Sequence, residues 1–307
     1  MGKYVYGPVP SRRLGRSLGV DLVPLKTCNF NCIYCQLGPT ACTTVERGEY
    51  SPVADVLAEV RQALGRGPRP DWITLGGSGE PTLHSSFGRI AEGIRAITDV
   101  PICLLTNGGM FIHPEVRADC KAIDMIAPDL DAADEEPFRL INRPHPGVTL
   151  ESVVQGLEAL RREYRGRIWL EVFLVPGLNT SDADVARLRA LIERINPDRV
   201  QLNTAVRPPA ESFVRPVPPE RLEQIRALLG PKAEVIANVE ALRALPLTAA
   251  GEADVLAMLR RRPCTAEDVA TGLAIHPREA AALLASLLRE GRIFHECKAL
   301  RGFYRAP

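Results

Sequence analysis

Residues 27–35 read Thr27-Cys28-Asn29-Phe30-Asn31-Cys32-Ile33-Tyr34-Cys35, or TCNFNCIYC, and set three cysteines at C-x3-C-x2-C spacing. A structural zinc site takes four ligands, and a ferredoxin-like iron–sulfur cluster takes four thiolates. Both closed readings would need a fourth ligand, with Cys42 the nearest further cysteine. A third reading leaves one coordination position open. The triplet follows the apolar run GVDLVPL (19–25), read as a strand. Ligands of open α/β sheets bind beyond the carboxyl ends of strands, where a fully closed site would serve no purpose.

Outward from this loop, five more apolar runs end in Gly, Asn, Pro or Ala: DWITLGG (71–77), PICLLTNG (101–108), IDMIAPDLDA (123–132), RIWLEVFLVPG (167–177) and DRVQLNTA (198–205). Helical patterns alternate with them. Ser51 is expected to cap VADVLAEVRQAL with Pro52 at its first position, TLESVVQGLEALRREY (149–164) is periodic, and Ser181 opens SDADVARLRALIERI. Strands alternating with helices predict an α/β fold on a parallel sheet with right-handed crossovers. Prolines crowd RPPAESFVRPVPP (207–219), after which a helix, PERLEQIRALLG, and a short strand, AEVIANV, are expected to close a first domain of residues 1–246. Residues 247–307 then read as three helices, the second capped by Thr265, and a terminal hairpin of RIFHE and GFYRA, the outline of a winged helix-turn-helix domain.

The chain has 307 residues, 46% of them hydrophobic and 24% charged, with net charge +1, which predicts a globular protein without a broad nucleic-acid-binding face. Neither a leader-like apolar segment after MGKYVYGPVPSRR nor a run of about 18 apolar residues is seen, so the expectation is a cytoplasmic protein away from membranes. Thiols stay reduced in that compartment, and a tight cysteine group there more often binds metal than forms disulfides.

The loop CNFNCIYC resembles the signature of the radical S-adenosylmethionine superfamily. The resemblance implies a 4Fe–4S cluster on Cys28, Cys32 and Cys35, whose fourth iron takes the amino and carboxylate groups of S-adenosylmethionine. It implies reductive cleavage of that cofactor to a 5′-deoxyadenosyl radical, which abstracts hydrogen from a substrate. It also implies a partial (β/α)6 barrel over about residues 15–245, matching six strands. Gly77-Ser78-Gly79-Glu80-Pro81 resembles the superfamily's Gly-Gly-Glu-Pro loop, with Ser78 in place of a glycine, so Gly79 and Glu80 are expected at the methionine amino group. Thr106-Asn107 ends the third strand as in many members. Tyr34 stands where relatives place a ring near adenine, and Asp129 and Asp131 stand where relatives contact the ribose.

A narrower likeness joins SGEPTL, LDAADEEPFRLINRP (130–144) and Arg207-Pro208-Pro209 to the wyosine-synthase-related branch, whose wyosine-making members act on a guanine of tRNA. Those members carry upstream cysteines for a second cluster and a lysine for pyruvate; here no cysteine precedes Cys28. Arg12, Arg13, Arg16, Arg143, His145 and Arg207 flank strand ends and are expected to hold an anionic substrate, a small nucleotide-like molecule or tRNA. Glu171, within the fifth run, points either to solvent or into the site. A separate flavodoxin or ferredoxin would donate the electron. Residues 248–307 hold nine Lys/Arg against seven Asp/Glu, a thin footprint for DNA. Two other functions compete: an iron–sulfur redox sensor acting on DNA through the winged helix, and an activating enzyme that makes a glycyl radical on a protein partner.

Overall fold

The computed structural model describes residues 3–11, 13–66, 69–206, 208–236, 251–261, 263–273, 275–298 and 301–307. An eight-stranded sheet in strictly sequential order forms its centre. Strands β1 (Val5–Ser11) and β2 (Gly15–Val20) are an antiparallel hairpin. From β2 onward every neighbour is parallel: β3 (Trp72–Leu75), β4 (Ile102–Thr106), β5 (Met125–Pro128), β6 (Arg167–Phe173), β7 (Arg199–Asn203) and β8 (Ala233–Val235).

The crossovers carry helices α1 (Val53–Leu64), α2 (Phe87–Ile97), α3 (Pro114–Ala118), α4 (Glu135–Asn142), α5 (Leu150–Glu163), α6 (Asp182–Ile195) and α7 (Pro219–Leu229). Their apolar stripes bury Val56, Val60, Ile90, Ile94, Val153, Leu157, Leu188 and Ile192 against Ile73, Leu75, Ile102, Leu104, Ile126, Ile168 and Leu170 of the strands. Each such side chain contributes about 1.5–3 kcal/mol relative to an exposed one. Both faces of the central strands are covered, which is why they read as unbroken apolar runs.

Three sequence expectations change. Strand β1 was not expected, because Gly7-Pro8 and Pro10 break its pattern; proline is tolerated there since β1 has a partner on one side only. The first parallel strand lies at 15–20 rather than 19–25, because Asp21 leaves the sheet and binds Ser78. Ser51 does not cap α1: its hydroxyl donates to the Leu22 carbonyl at 3.1 Å, and Pro52 takes the cap position. Ser181 does cap α6, in a reciprocal box with Asp184, and Thr265 makes the same box with Asp268.

Helices α8 (Glu252–Arg261), α9 (Ala266–Gly272) and α10 (Pro277–Arg289) follow, with a hairpin of β9 (Phe294–Lys298) and β10 (Arg301–Arg305). They surround a core of their own built on Val255, Leu259, Val269, Leu284 and Leu287, against which Val9 of β1 packs. The expected boundary at residues 246/247 lies outside the described residues, as do Arg12 and Arg207. Among the described residues no helix is long and apolar enough to cross a membrane.

Candidate active site

A cavity of about 430 Å³ opens among the strand ends, within the range of small-ligand sites. Cys28, Cys32 and Cys35 line it together with Tyr34, Gly79, Glu80, Thr106, Asn107, Asp129 and Glu171. Residues scattered over more than 140 positions in sequence therefore meet here, because sequential parallel strands place all their carboxyl-end loops on one rim.

The cysteine loop is clamped to the loop after β3. Lys26 N–H donates to the Ser78 carbonyl at 2.7 Å, and Glu80 N–H donates to the Thr27 carbonyl at 2.9 Å. A Cβ on Gly79 would stand 2.0 Å from that Thr27 oxygen, so only glycine permits the approach. Ser78, the departure from the superfamily glycine, is accommodated: its N–H and hydroxyl both donate to Asp21.

Each of the three sulfurs accepts a nitrogen donor from a different side chain. Asn107 Nδ2 lies 3.6 Å from Cys28 Sγ, Asn142 Nδ2 3.6 Å from Cys32 Sγ, and Lys26 Nζ 3.2 Å from Cys35 Sγ. Such donors suit thiolates. Burial pushes the Cys28 thiol up to about 12, and burial followed by the Cys28 charge raises Cys32 well above its ordinary value. For Cys28 and Cys32 this favours the neutral thiol unless a metal takes the proton's place, which fits ligands and not free nucleophiles. Cys42 is exposed, its thiol turned to the Thr43 carbonyl and away from the cavity lining. Among the described residues no three His, Cys, Asp or Glu side chains form a group that could hold a single metal ion. Zinc–sulfur bonds of about 2.3 Å would draw the sulfurs to within about 4 Å of one another. The cysteines fit an iron–sulfur cube with three protein thiolates.

Glu80 is 2% exposed, and its carboxylate accepts four bonds: from Thr82 N–H at 3.0 Å, Thr82 Oγ1 at 2.5 Å, Thr106 Oγ1 at 2.7 Å and Asn107 N–H at 2.8 Å. Burial raises its pKa and these bonds oppose the rise. A carboxylate has about four lone-pair positions, and three of the four donors use Oε1, which leaves capacity on Oε2. Thr106 thus supports Glu80. Asn107 supports both Glu80 and, through Nδ2 to Asn29 Oδ1 at 2.6 Å, the cysteine loop.

The two aspartates divide. Asp131 does not line the cavity; it accepts from Tyr34 OH at 2.5 Å, Asn142 Nδ2 at 2.6 Å and Phe173 N–H at 2.7 Å. Burial lifts its pKa to about 6 against those bonds. Its work is to hold the Tyr34 ring, which stacks on Phe173 at 3.8 Å with 9° between planes. Asp129 does line the cavity, and burial, then the Glu171 and Asp131 charges, raise its pKa well above the carboxylate range.

Arg13, Arg16, Arg143 and His145, the described members of the expected basic set, do not gather at the cavity. Arg16 lies beside Asp71, its N–H donating to that carboxylate at 2.7 Å; Arg16 stands at the start of β2 and Asp71 just before β3, so both occupy the amino end of the sheet, opposite the cysteines. Arg143 donates to Glu211 at 2.5 Å, and neither it nor His145 lines the cavity. Of the four that are described, Arg13 alone reaches the lining, where it pairs with Glu171 at 2.5 Å. Glu171 therefore points inward, and Asn203 Nδ2 also donates to it at 2.7 Å. Sequence reasoning missed Lys26, Asn142 and Asn203. Lys26 alone had a local signal, two positions before the first cysteine.

A family model, the radical SAM superfamily, matches residues 22–189, more than half of the chain. The UPF0026 protein MJ1312 of Methanocaldococcus jannaschii is 33% identical over 225 residues, 73% of this chain and 70% of its own. A Brachyspira hyodysenteriae protein named GTPase Obg is 35% identical over 300 residues; the match takes in 96% of this chain but 44% of that longer one. No G-x4-G-K-[S/T] phosphate loop occurs in the present sequence. Among solved structures, TYW1 with a lysine-pyruvate adduct bound superposes at a TM-score of 0.51 with 17% identity, covering 70% of this chain and 72% of that one, a likeness of fold. With the clamped three-cysteine loop at a strand-end cavity and a family match across it, the chain belongs to the radical SAM superfamily of enzymes, which use a 4Fe–4S cluster and S-adenosylmethionine.

Proposed function

We propose that this protein cleaves S-adenosylmethionine reductively and abstracts hydrogen from a small organic molecule held in the strand-end cavity. The observation that carries the reading is the trio of sulfurs, each met by its own N–H donor, beside a cavity large enough for a cofactor and part of a substrate. When bound, the cluster and S-adenosylmethionine would supply hydrogen-atom abstraction from a substrate in this cavity. The chain's own residues do the rest. Cys28, Cys32 and Cys35 would hold the cluster, Gly79 lets the two loops close, and Glu80 would offer its remaining lone pair to the methionine ammonium. Tyr34 presents a fixed ring to the adenine side, and Asp129 faces the ribose. Buried walls exclude water from the reacting carbon.

The cavity's charges favour a neutral or weakly charged substrate over a strongly anionic one. Lys26 and Arg13 are set against Glu80 and Glu171, burial holds Asp129 toward its neutral form, and Arg13 is already paired. The wyosine-branch likeness is therefore read as kinship without pyruvate chemistry: among the described residues Lys26 is the one lysine at the lining, and its ammonium is taken by Cys35 and the Gly38 carbonyl. We read residues 1–246 as the barrel and 247–307 as a winged-helix unit. It serves packing and substrate enclosure, since Met258 of α8 lines the cavity. A flavodoxin or ferredoxin is the proposed electron donor.

The test is anaerobic reconstitution, reduction, and mass-spectrometric detection of 5′-deoxyadenosine. Formation that depends on all three cysteines supports the reading; none in a protein that carries a full cluster refutes it. Comparing nucleosides and metabolites from cells with and without the gene then identifies the substrate.

A further inference from the structure

The three donors to the sulfurs differ in kind. Asn107 and Asn142 are neutral amides, whereas Lys26 brings a cation to 3.2 Å from Cys35 Sγ. Its placement is built in. Lys26 adopts φ 65°, a left-handed conformation uncommon for a residue with a Cβ, and its N–H is tied to Ser78 O at 2.7 Å. The Gly38 carbonyl accepts from the same ammonium at 2.5 Å, so the side chain is fixed at both ends.

We propose that Lys26 is a positioning residue that sets the reduction potential of the cluster held by Cys35; this rests on the cluster reading above. Reduction adds one electron, supplied in the test by dithionite through a viologen mediator, with no bond made or broken. The cluster and its thiolates become more negative by one charge. A fixed cation stabilises the reduced state more than the oxidised one, and hydrogen bonds to the sulfurs act in the same direction. The amides at Cys28 and Cys32 provide the second effect only.

The experiment compares wild type with Lys26→Met, Lys26→Gln and Lys26→Arg as full-length protein, reconstituted anaerobically without S-adenosylmethionine. Iron and sulfide content is measured first, and the midpoint potential is then read by EPR-monitored titration. Absence of a 4Fe–4S cluster in wild type would sink the cluster reading itself. Given the cluster, Lys26→Met should lower the reduced-to-oxidised ratio at fixed potential about tenfold, which is 59 mV for one electron. Lys26→Arg should stay near wild type, and Lys26→Gln should fall with Met. Should the Met variant fail to hold iron, the Gln and Arg variants decide, since both can donate to sulfur and only one is charged. Equal midpoints for Gln and Arg overturn the proposal. So does an unchanged midpoint in Met accompanied by weaker S-adenosylmethionine binding, which would assign Lys26 to the cofactor's carboxylate.

Discussion

Replacing Glu80 separates its two roles, holding the strand-end loops and receiving the cofactor. The buried carboxylate accepts from two backbone N–H groups, Thr82 and Asn107, and from two threonine hydroxyls. Glu80→Ala strands both N–H groups. An unsatisfied buried donor costs about 1–3 kcal/mol, and the hydroxyls can rotate to other acceptors. Because the carboxylate borders the cavity, water can reach the gap, which favours the lower end of that range. The charge's own burial, seen in the raised pKa, offsets part of what the bonds contribute. The expected loss is about 2–4 kcal/mol for Ala. It is about 1–2 for Gln, which keeps one acceptor oxygen but turns an NH₂ toward the Asn107 or Thr82 donors. Urea titration of cluster-free protein measures it, so cofactor loss cannot be the cause. Calorimetric titration of the reconstituted Gln variant with S-adenosylmethionine then reads the second role. An unfolding free energy for Ala within about 0.5 kcal/mol of wild type would refute the bonding argument. Unchanged cofactor affinity in Gln would refute the ligand assignment.

Three further outcomes are expected. Gly79→Ala, whose methyl would meet the Thr27 carbonyl oxygen at 2.0 Å, should leave far-ultraviolet circular dichroism near wild type but reduce reconstituted iron per chain by more than half; full iron content would show that the loops need not touch. The neutral form of Asp131 is favoured in the folded chain, so its contribution is fully present below the unfolded pKa near 4 and is lost as pH rises through about 6, an effect of about 3 kcal/mol. Asp131→Asn should therefore flatten the fall in urea midpoint between pH 4 and 7, and an unaltered slope would show that Asp131 does not titrate there. Arg13→Met leaves Glu171 buried without its cation and should cost about 3–5 kcal/mol, most of it recovered by adding Glu171→Gln; a double-mutant coupling below about 0.5 kcal/mol would mean the pair is idle.

Local spacing carried the features that the sequence made legible. Cys28, Cys32 and Cys35, the Gly79-Glu80 loop and Thr106-Asn107 each follow an apolar run, and a parallel sheet delivers such loops to one rim. What escaped depends on side-chain direction and on distant partners. Arg16 carries a strand-end signal in sequence, yet a residue at the start of a parallel strand lies at the opposite end from the loops that follow. Arg13 precedes the same strand, and only the buried partner Glu171, far along the chain, draws it inward. Asp131 and Asp129 are two positions apart and look interchangeable in sequence; Asn142 and Tyr34 capture the first and leave the second facing the cavity. Asn142 reaches Cys32 across a sequence separation of 110 residues, which no local pattern announces. Strand β1 was hidden by its prolines, which the edge of a sheet tolerates and its interior would not.

The central claim is that Cys28, Cys32 and Cys35 hold a 4Fe–4S cluster with one iron left open to S-adenosylmethionine. The EPR spectrum of the anaerobically reconstituted, dithionite-reduced protein, recorded before and after adding the cofactor, tests it most directly. The expected result is a reduced-cluster signal that changes on addition and that persists, with the same response, in Cys42→Ala. A signal indifferent to S-adenosylmethionine, or one abolished by the loss of Cys42, would contradict it.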